Sequence, residues 1–384
     1  MTQKTAWAAA ACALFAAAGA SSAADVEMYG LVDIGGKFAR ETGSDSTFAM
    51  QSGQIAGSRF GLRAEEEISS DLSVYINLEN GFDADTGELA DDTRLFNRNA
   101  VLGLKTKIGT FELGRTGALA AGVTGGIFAG KVSPFGITWQ EAQSSQILSG
   151  ATSTRLDNQI RYESPDLAGW RIYAQASNGI SGDDGVASSQ KDRYAALGAV
   201  YKQGPLMIVA LADRMFTKNG SSTSYNLDDY STYSLGGTYD FGPVKLFAAY
   251  QFGDGVKAVG KIDDLESLEL EKQTVKPMGF DTNAVLLGAN IDLWGGTLKL
   301  ATGYATGEGD YIVEEKGKPS KTGRLEADGY QFAVGYLYPL SKRTDLYAGA
   351  AYVHMKNDAT PADEAESSET AHRRGVIFGM RHRF

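Results

Sequence analysis

The sequence predicts an all-β fold: a 16-stranded antiparallel transmembrane β-barrel with an inward-folded third long loop. Three observations carry this. Apolar and polar residues alternate with period two along most of the chain, as in strands with two unlike faces. Short and long connections between strand candidates also alternate, with the short ones on one side of the sheet and the long ones on the other. Finally, beyond residue 24 no apolar run approaches the ~20 residues of a membrane helix. Mean hydropathy is only −0.22, although the chain holds 47 Gly, 18 Tyr and 17 Phe against 8 Pro. Low average hydropathy with many aromatics results when lipid-facing and water-facing residues take turns.

The first element is not part of the fold. Residues 1–24 carry Lys4, an apolar run from Ala6 to Ala18 and the small residues Ser21, Ser22, Ala23 and Ala24, the three regions of a secretory signal peptide. Cleavage after Ala23 or Ala24 fits equally well, and with 24 leader residues removed 360 of the 384 remain as one barrel domain, 25–384. The single cysteine, Cys12, leaves with the leader, so the exported chain has no disulfide framework. Loss of Lys4 moves the formal charge from −11 to −12, a balance unsuited to nucleic acid.

Strand candidates follow at 26–38, 55–66, 71–82, 94–107, 110–116, 155–164, 169–178, 193–203, 206–215, 230–241, 244–253, 280–293, 296–306, 327–339, 343–356 and 372–384. In the first, Val26, Met28, Gly30, Val32 and Ile34 share a face opposite Glu27, Asp33 and Lys37, although Tyr29 and Leu31 blur the polar side. In the third, Leu72, Val74, Ile76 and Leu78 alternate with Ser73, Tyr75, Asn77 and Glu79. In the last, Val376, Phe378, Met380, His382 and Phe384 form an apolar face ending on an aromatic residue, suited to a girdle or to a barrel-insertion signal. Short connections fall at Glu67–Ser70, Ile108–Gly109, Pro165–Ala168, Gly204–Pro205, Gly242–Pro243, Trp294–Gly295 and Leu340–Lys342, most with turn chemistry. Long ones are expected at Ala39–Gln54, Asp83–Thr93, Gly117–Thr154, Gly179–Asp192, Phe216–Asp229, Asp254–Gly279, Gly307–Glu326 and Asn357–Ala371. A soluble sandwich gives no reason for every second connection to be long. An open edge cannot persist in hydrocarbon, so the first and last strands must pair.

Gly117–Thr154 breaks the pattern. It is long, mildly apolar, rich in Gly, Ala and Ser and without strand period, which marks a functional loop; we expect it to enter the bore and narrow it through Ile127, Phe128, Phe135 and Trp139.

Seven stretches in order, MYGLVDIG, SRFGLRAEE, LENGFDADTG, LFNRNAVLGLKTKIGTFELGR, DNQIRYESPDLAGW, VGYLYPLSKRTDLYAGAAYV and GMRHRF, make the chain resemble the trimeric general porins of Gram-negative outer membranes, in particular the branch of Neisseria and the betaproteobacteria. The resemblance implies a water-filled barrel in a homotrimer, surrounded by outer-membrane lipid and lipopolysaccharide, with basic wall residues facing the third loop. By local motif it gives that role to Arg59, Arg98 and Arg155.

Parity supports part of this. Arg59, Arg63 and Glu65 share a face opposite Phe60 and Leu62, and Arg155, Asp157, Gln159 and Arg161 share one opposite Leu156, Ile160 and Tyr162, which adds Arg63, Asp157 and Arg161 as pore-lining residues. A charge facing mid-membrane lipid costs on the order of 2–4 kcal/mol, which favours the bore. Arg98 is less regular, because its parity places Leu102 and Leu104 in the lumen unless a bulge intervenes. Arg115 fits a pore residue and an interfacial anchor equally. The loop holds one acid, Glu141, and one base, Lys131.

The expected function is passive diffusion of small hydrophilic solutes and ions with anion preference; alternatives are a solute-specific channel of the same fold and a surface receptor or adhesin barrel. The charge of −11 opposes anions, but much of it sits in outer loops such as Asn357–Ala371, and charges beyond about 10 Å are screened at ~0.1 M salt. Catalysis is not expected, because His354, His372 and His382 lie beside no nucleophile motif. No cofactor or metal site is expected: there is no spaced His pair, and acids such as Asp263, Asp264 and Glu266 suit a solvated loop face better than a Ca²⁺ site. Gly125-Gly126 opens no helix, so a nucleotide loop is unsupported.

Overall fold

The computed structural model describes residues 25–148, 155–180, 187, 190–217, 229–260, 274–315, 318–361 and 367–384. The signal-peptide expectation, residues 149–154 of the inward loop and the acids Asp263, Asp264 and Glu266 lie outside the described residues. Among the described residues seventeen strands close into one antiparallel ring. They are β1 (Asp25–Glu41), β2 (Thr47–Ser52), β3 (Arg59–Ser69), β4 (Leu72–Gly81), β5 (Asn99–Thr106), β6 (Gly109–Gly117), β7 (Arg155–Glu163), β8 (Trp170–Asn178), β9 (Arg193–Gln203), β10 (Leu206–Phe216), β11 (Tyr230–Asp240), β12 (Val244–Val256), β13 (Thr274–Leu293), β14 (Gly296–Glu315), β15 (Lys318–Pro339), β16 (Thr344–Pro361) and β17 (Ser367–Arg383).

The barrel nevertheless has sixteen staves, because β2 and β3 are two halves of one. The outer-end half of β1 pairs with β2, from Ala39↔Thr47 to Ile34↔Ser52, and its other half pairs with β3, from Leu31↔Arg59 to Asp25↔Glu65. The six residues between, 53–58, step out of the sheet. On its second edge β1 pairs with β17 from Leu31↔Arg383 to Glu41↔Arg373. Gly30 and Phe384 exchange backbone hydrogen bonds of 3.1 and 3.0 Å, so no edge is left open to lipid, where each unpaired backbone group would cost several kcal/mol.

Alternation sets the faces. Val26, Met28, Phe60, Leu102, Leu197, Leu235, Leu287, Phe332, Val376 and Phe378 are exposed on the outside, while Asp33, Glu79, Gln159, Gln175, Gln251 and Gln331 are buried on the inside. Tyr29, which blurred the first strand, is an inner residue whose hydroxyl donates to Glu79 at 2.9 Å and to Asn77 at 3.0 Å.

Three expected loops are mostly strand. Ala39–Gln54 contains the end of β1, a turn and all of β2; 307–315 and 318–326 are the paired upper parts of β14 and β15, from Gly307↔Ala327 to Glu315↔Lys318; and 357–361 and 367–371 continue β16 and β17, from Asn357↔Glu369 to Ala359↔Ser367. Their polarity misled the strand reading: beyond the bilayer both faces of a strand meet water, so alternation vanishes while backbone pairing continues.

Candidate functional site in the barrel bore

One wall of the bore gathers arginines around two carboxylates. Arg59 opens β3, with Nε 3.4 Å from Glu79 Oε2 and NH1 donating to the Gly57 carbonyl at 3.0 Å. Arg98 stands one residue before β5, and its Nε lies 2.7 Å from Glu79 Oε1. Arg155 opens β7 and donates from Nε to the Arg98 carbonyl at 2.7 Å. Glu79, 3% exposed, therefore sits between two guanidinium groups. Beside it Arg94 reaches Asp157 at 2.9 Å, and Arg115 pairs with the same carboxylate while donating to the Asn97 carbonyl at 2.9 Å. Five guanidinium groups thus face two carboxylates, so the wall carries excess positive charge. In the connection that holds Arg94 and Arg98, hydrogen bonds from the Thr93 hydroxyl (2.6 Å) and amide (3.0 Å) hold the Asp91 carboxyl below its usual pKa range and shape the turn.

Local irregularities aim these side chains. Arg98 precedes β5, so strand parity does not apply to it, and Leu102 and Leu104 face outward rather than the lumen. Arg115 belongs to the bore rather than to the interface: the β6–β7 register shifts between Gly114 and Thr116, and such a bulge re-aims the next residue. The same shift brings Asn158 to φ 49° and turns Leu156 inward, fully buried under the loop, where simple alternation placed it opposite Arg155.

Of the additional residues, Asp157 joins the arginine cluster. Arg63 lies 4.1 Å over the Tyr29 ring and lines a cavity of about 290 Å³ with Glu27, Glu65, Tyr75 and Lys105. Arg161 points inward but is covered: it is 9% exposed, lies 3.6 Å from Glu112 and 3.7 Å from Glu163, and packs over Tyr173.

The segment after β6 lies against the inner wall. Glu141 does not stand free; its Oε1 is 3.1 Å from Lys37 Nζ on β1, and Lys37 also donates to Gln140 at 3.0 Å. Lys131 is exposed. The side chains expected to narrow the bore by bulk are instead its anchors: Ile127, Phe128, Phe135 and Trp139 are 5, 0, 2 and 6% exposed. They fit over glycines of the wall. An added Cβ at Gly198 would stand 2.5 Å from Ile127, and one at Gly335 would stand 2.8 Å from both Phe135 and Trp139.

Polar bonds finish the docking where the broken stave offers free carbonyls. Trp139 N–H donates to Gln54 O at 2.7 Å and the Thr138 hydroxyl to Ile55 O at 2.5 Å. Gln331 donates to the carbonyls of Glu141 and Gln143 at 2.5 and 3.1 Å. The break itself is held by Asp33, wholly buried, whose carboxylate accepts from Ile55 N at 2.8 Å, Ala56 N at 2.7 Å and the Tyr347 hydroxyl at 2.6 Å. Trp139 and Gln140 have φ of 73° and 51°; non-glycine residues persist there only when their surroundings over-determine them, as these bonds do.

Sequence reasoning missed Glu79, Arg94, Lys37 and Asp33 as site residues. A signal existed for each: all are polar residues on inward-facing strand positions or in the connection before β5.

A family model described as Gram-negative porin matches residues 6–359. An outer membrane porin protein of Bordetella pertussis is 29% identical over 411 residues, covering 100% of both chains. Outer membrane porin protein 32 of Delftia acidovorans is 26% identical, with 97% of this chain and 98% of that one covered. Among solved structures, the anion-selective porin from Comamonas acidovorans superposes with a TM-score of 0.64 at 23% identity, covering 94% of this chain and all of that one. OmpT of Vibrio cholerae, in its trimer form, gives 0.57 at 18%, with 94% and 100% covered.

Proposed function

The chain belongs to the Gram-negative porin family, and on that premise we propose that this outer-membrane diffusion channel prefers anions, with Arg59, Arg98 and Arg155 as its selecting residues. As a porin it is a multi-pass β-barrel through which small hydrophilic solutes and ions cross passively.

The observation that carries the preference is the arginine wall: guanidinium groups at 59, 94, 98, 115 and 155 against the carboxylates of Glu79 and Asp157. Rings of Arg or Lys in a narrow pore favour anions because the fixed charge replaces part of the ion's lost hydration. Glu141 adds no opposing field, since Lys37 neutralises it locally. Residues 117–154 act as the constriction loop. The solved relative from Comamonas is described as anion-selective, in line with this reading.

The finer points of the reading are a leader cleaved after Ala23 or Ala24 and a homotrimeric assembly, the latter in keeping with the trimer form of OmpT. Reversal potential across a KCl gradient in a planar bilayer tests the preference. A potential of cation-selective sign in the wild type overturns it. Conductance steps in threes and the intact mass of the exported chain test the other two.

A further inference from the structure

The outer ends of the last two staves bring three donor atoms together. His354 on β16 and His372 on β17 are directly opposed cross-strand partners, and their Nδ1 atoms stand 3.1 Å apart. The Tyr352 hydroxyl lies 2.8 Å from the same His372 nitrogen. Whichever tautomers the rings hold, an Nδ1 carries either one lone pair or one proton, so His372 Nδ1 divides a single position between two partners. Aromatic neighbours set the ring planes: Tyr330 stacks on His354 with centroids 4.6 Å apart, and the Tyr352 ring stacks on His372 at 5.7 Å. The backbone of His372 is also tied to the residue after β1, its amide donating to the Thr42 hydroxyl at 2.8 Å and its carbonyl accepting from the Thr42 amide at 3.0 Å.

The cluster faces away from the bore. Val353 and Met355, which alternate with Tyr352 and His354, are buried on the inner side, while Val376 and Phe378 carry the outward face of β17 into the apolar belt. His354 and His372 are half-buried and lie between that belt and the 362–366 connection, on the side of the long connections, which face outward from the cell. Two cations flank them: Arg374 lies 5.7 Å over the Tyr352 ring, and Lys356 is neutralised by Asp358 at 2.5 Å. No sequence spacing announces the pair. Its members are 18 residues apart, and only the antiparallel register of β16 and β17 brings them together.

We propose that His354, His372 and Tyr352 form a binding site for a divalent transition ion, Cu²⁺ in preference to Zn²⁺, at the outer end of the last hairpin. Two ligands ~2.0–2.1 Å from one ion stand about 2.9 Å apart at a square-planar angle and about 3.3 Å apart at a tetrahedral one. The observed 3.1 Å falls between them. The ion takes the lone pairs of both Nδ1 atoms, with the Tyr352 oxygen at a third corner and water at the open one. Coordinating atoms must be deprotonated, so a ring with its proton on Nδ1 transfers it through water to Nε2, and the phenol proton leaves to water. Imidazole suits both ions and the affinity order of divalent metals favours copper, whereas Ca²⁺ takes oxygen ligands. The bound ion staples β16 to β17 and is reached from outside without entry into the bore.

The test is equilibrium dialysis of the untagged, refolded full-length protein against CuCl₂, ZnCl₂ or CaCl₂ alone, with bound metal counted by plasma mass spectrometry. The wild type should hold one Cu²⁺ per chain, bind Zn²⁺ more weakly and retain no stoichiometric Ca²⁺. His354→Gln and His372→Gln should each weaken Cu²⁺ binding by about tenfold or more, and Tyr352→Phe should weaken it less. His382→Gln, which alters the remaining histidine beside Thr344 at the opposite end of β17, should leave binding unchanged. Electron paramagnetic resonance of the copper-loaded wild type should show coupling to two nitrogens, and that signature decides alone if the variants do not fold. Single-channel conductance should be the same in all variants, because the cluster lies outside the bore, so a failure here would leave the channel reading standing. Absence of stoichiometric copper, equal retention of Ca²⁺, or copper binding indifferent to His354 and His372 overturns the proposal.

Discussion

Glu79 and Arg98 meet at 2.7 Å, Oε1 to Nε, with the carboxylate 3% exposed and Arg59 on its other oxygen. Glu79 is therefore the counter-charge of two arginines and, on the proposed selectivity, the charge that opposes their effect on a passing ion.

Glu79→Gln should sharpen anion preference. At ~5 Å in water one unit charge is worth about 0.8 kcal/mol, reduced by screening, so the anion-to-cation permeability ratio should rise about two- to fourfold. Reversal potentials in a KCl gradient read this directly. An unchanged ratio would show that Glu79 lies outside the ion path.

Arg59→Ala, Arg98→Ala and Arg155→Ala should each lower the ratio by a comparable factor, with Arg98→Ala the most disruptive. That substitution leaves Glu79 with Arg59 and Tyr29 alone and shifts the field by a charge and by geometry at once. Selectivity indifferent to all three would sink the assignment of this wall.

Lys37 and Glu141 should behave as a coupled pair. Lys37→Met uncovers the Glu141 carboxylate and should move selectivity toward cations, whereas Lys37→Met with Glu141→Gln should return it near the wild-type value. A double variant as cation-shifted as Lys37→Met alone would mean that the Glu141 carboxylate does not act on the ion.

Trp139→Ala should loosen the loop, since truncating a buried Trp removes about 3–5 kcal/mol of packing. Liposome swelling should then report faster entry of larger sugars. Gly335→Val should act in the same direction by expelling Phe135 and Trp139 from their seat. Unchanged sugar exclusion in both would separate loop docking from pore size.

Asp33→Ala should destabilise the barrel as well as the loop. Three donors lose their acceptor, at about 1–3 kcal/mol for each group left buried and unpaired. The temperature at which the folded band shifts on an unboiled gel should fall, and a gel mobility transition equal to wild type would contradict the role given to Asp33.

The barrel was legible because its rule is local: wherever a stave crosses the bilayer, alternate residues must differ, as at Leu72–Glu79. Three kinds of feature escaped that rule. Outside the bilayer both faces are wet, so the strand pairing of 307–315 with 318–327 and of 357–359 with 367–369 left no alternation. At Gly114 and Asn158 one bulge reversed the parity of Arg115 and Leu156. The partners of the wall arginines come from separate strands, and no spacing in the sequence brings Glu79 to Arg98 or Lys37 to Glu141. Motif resemblance supplied the arginines, and only three-dimensional contacts supplied what restrains them.

The loop's anchors are scattered along the chain: Lys37 comes about 100 residues before Gln140, and Gln331 about 190 after Glu141. Contacts of such separation form late, because the intervening chain must be ordered first. The last staves, which seat Trp139 and Glu141, are also those that close the ring against β1. On the proposal that this loop is the constriction, closing the ring and narrowing it are coupled: a barrel without its last staves has neither a sealed edge nor the wall that seats the loop.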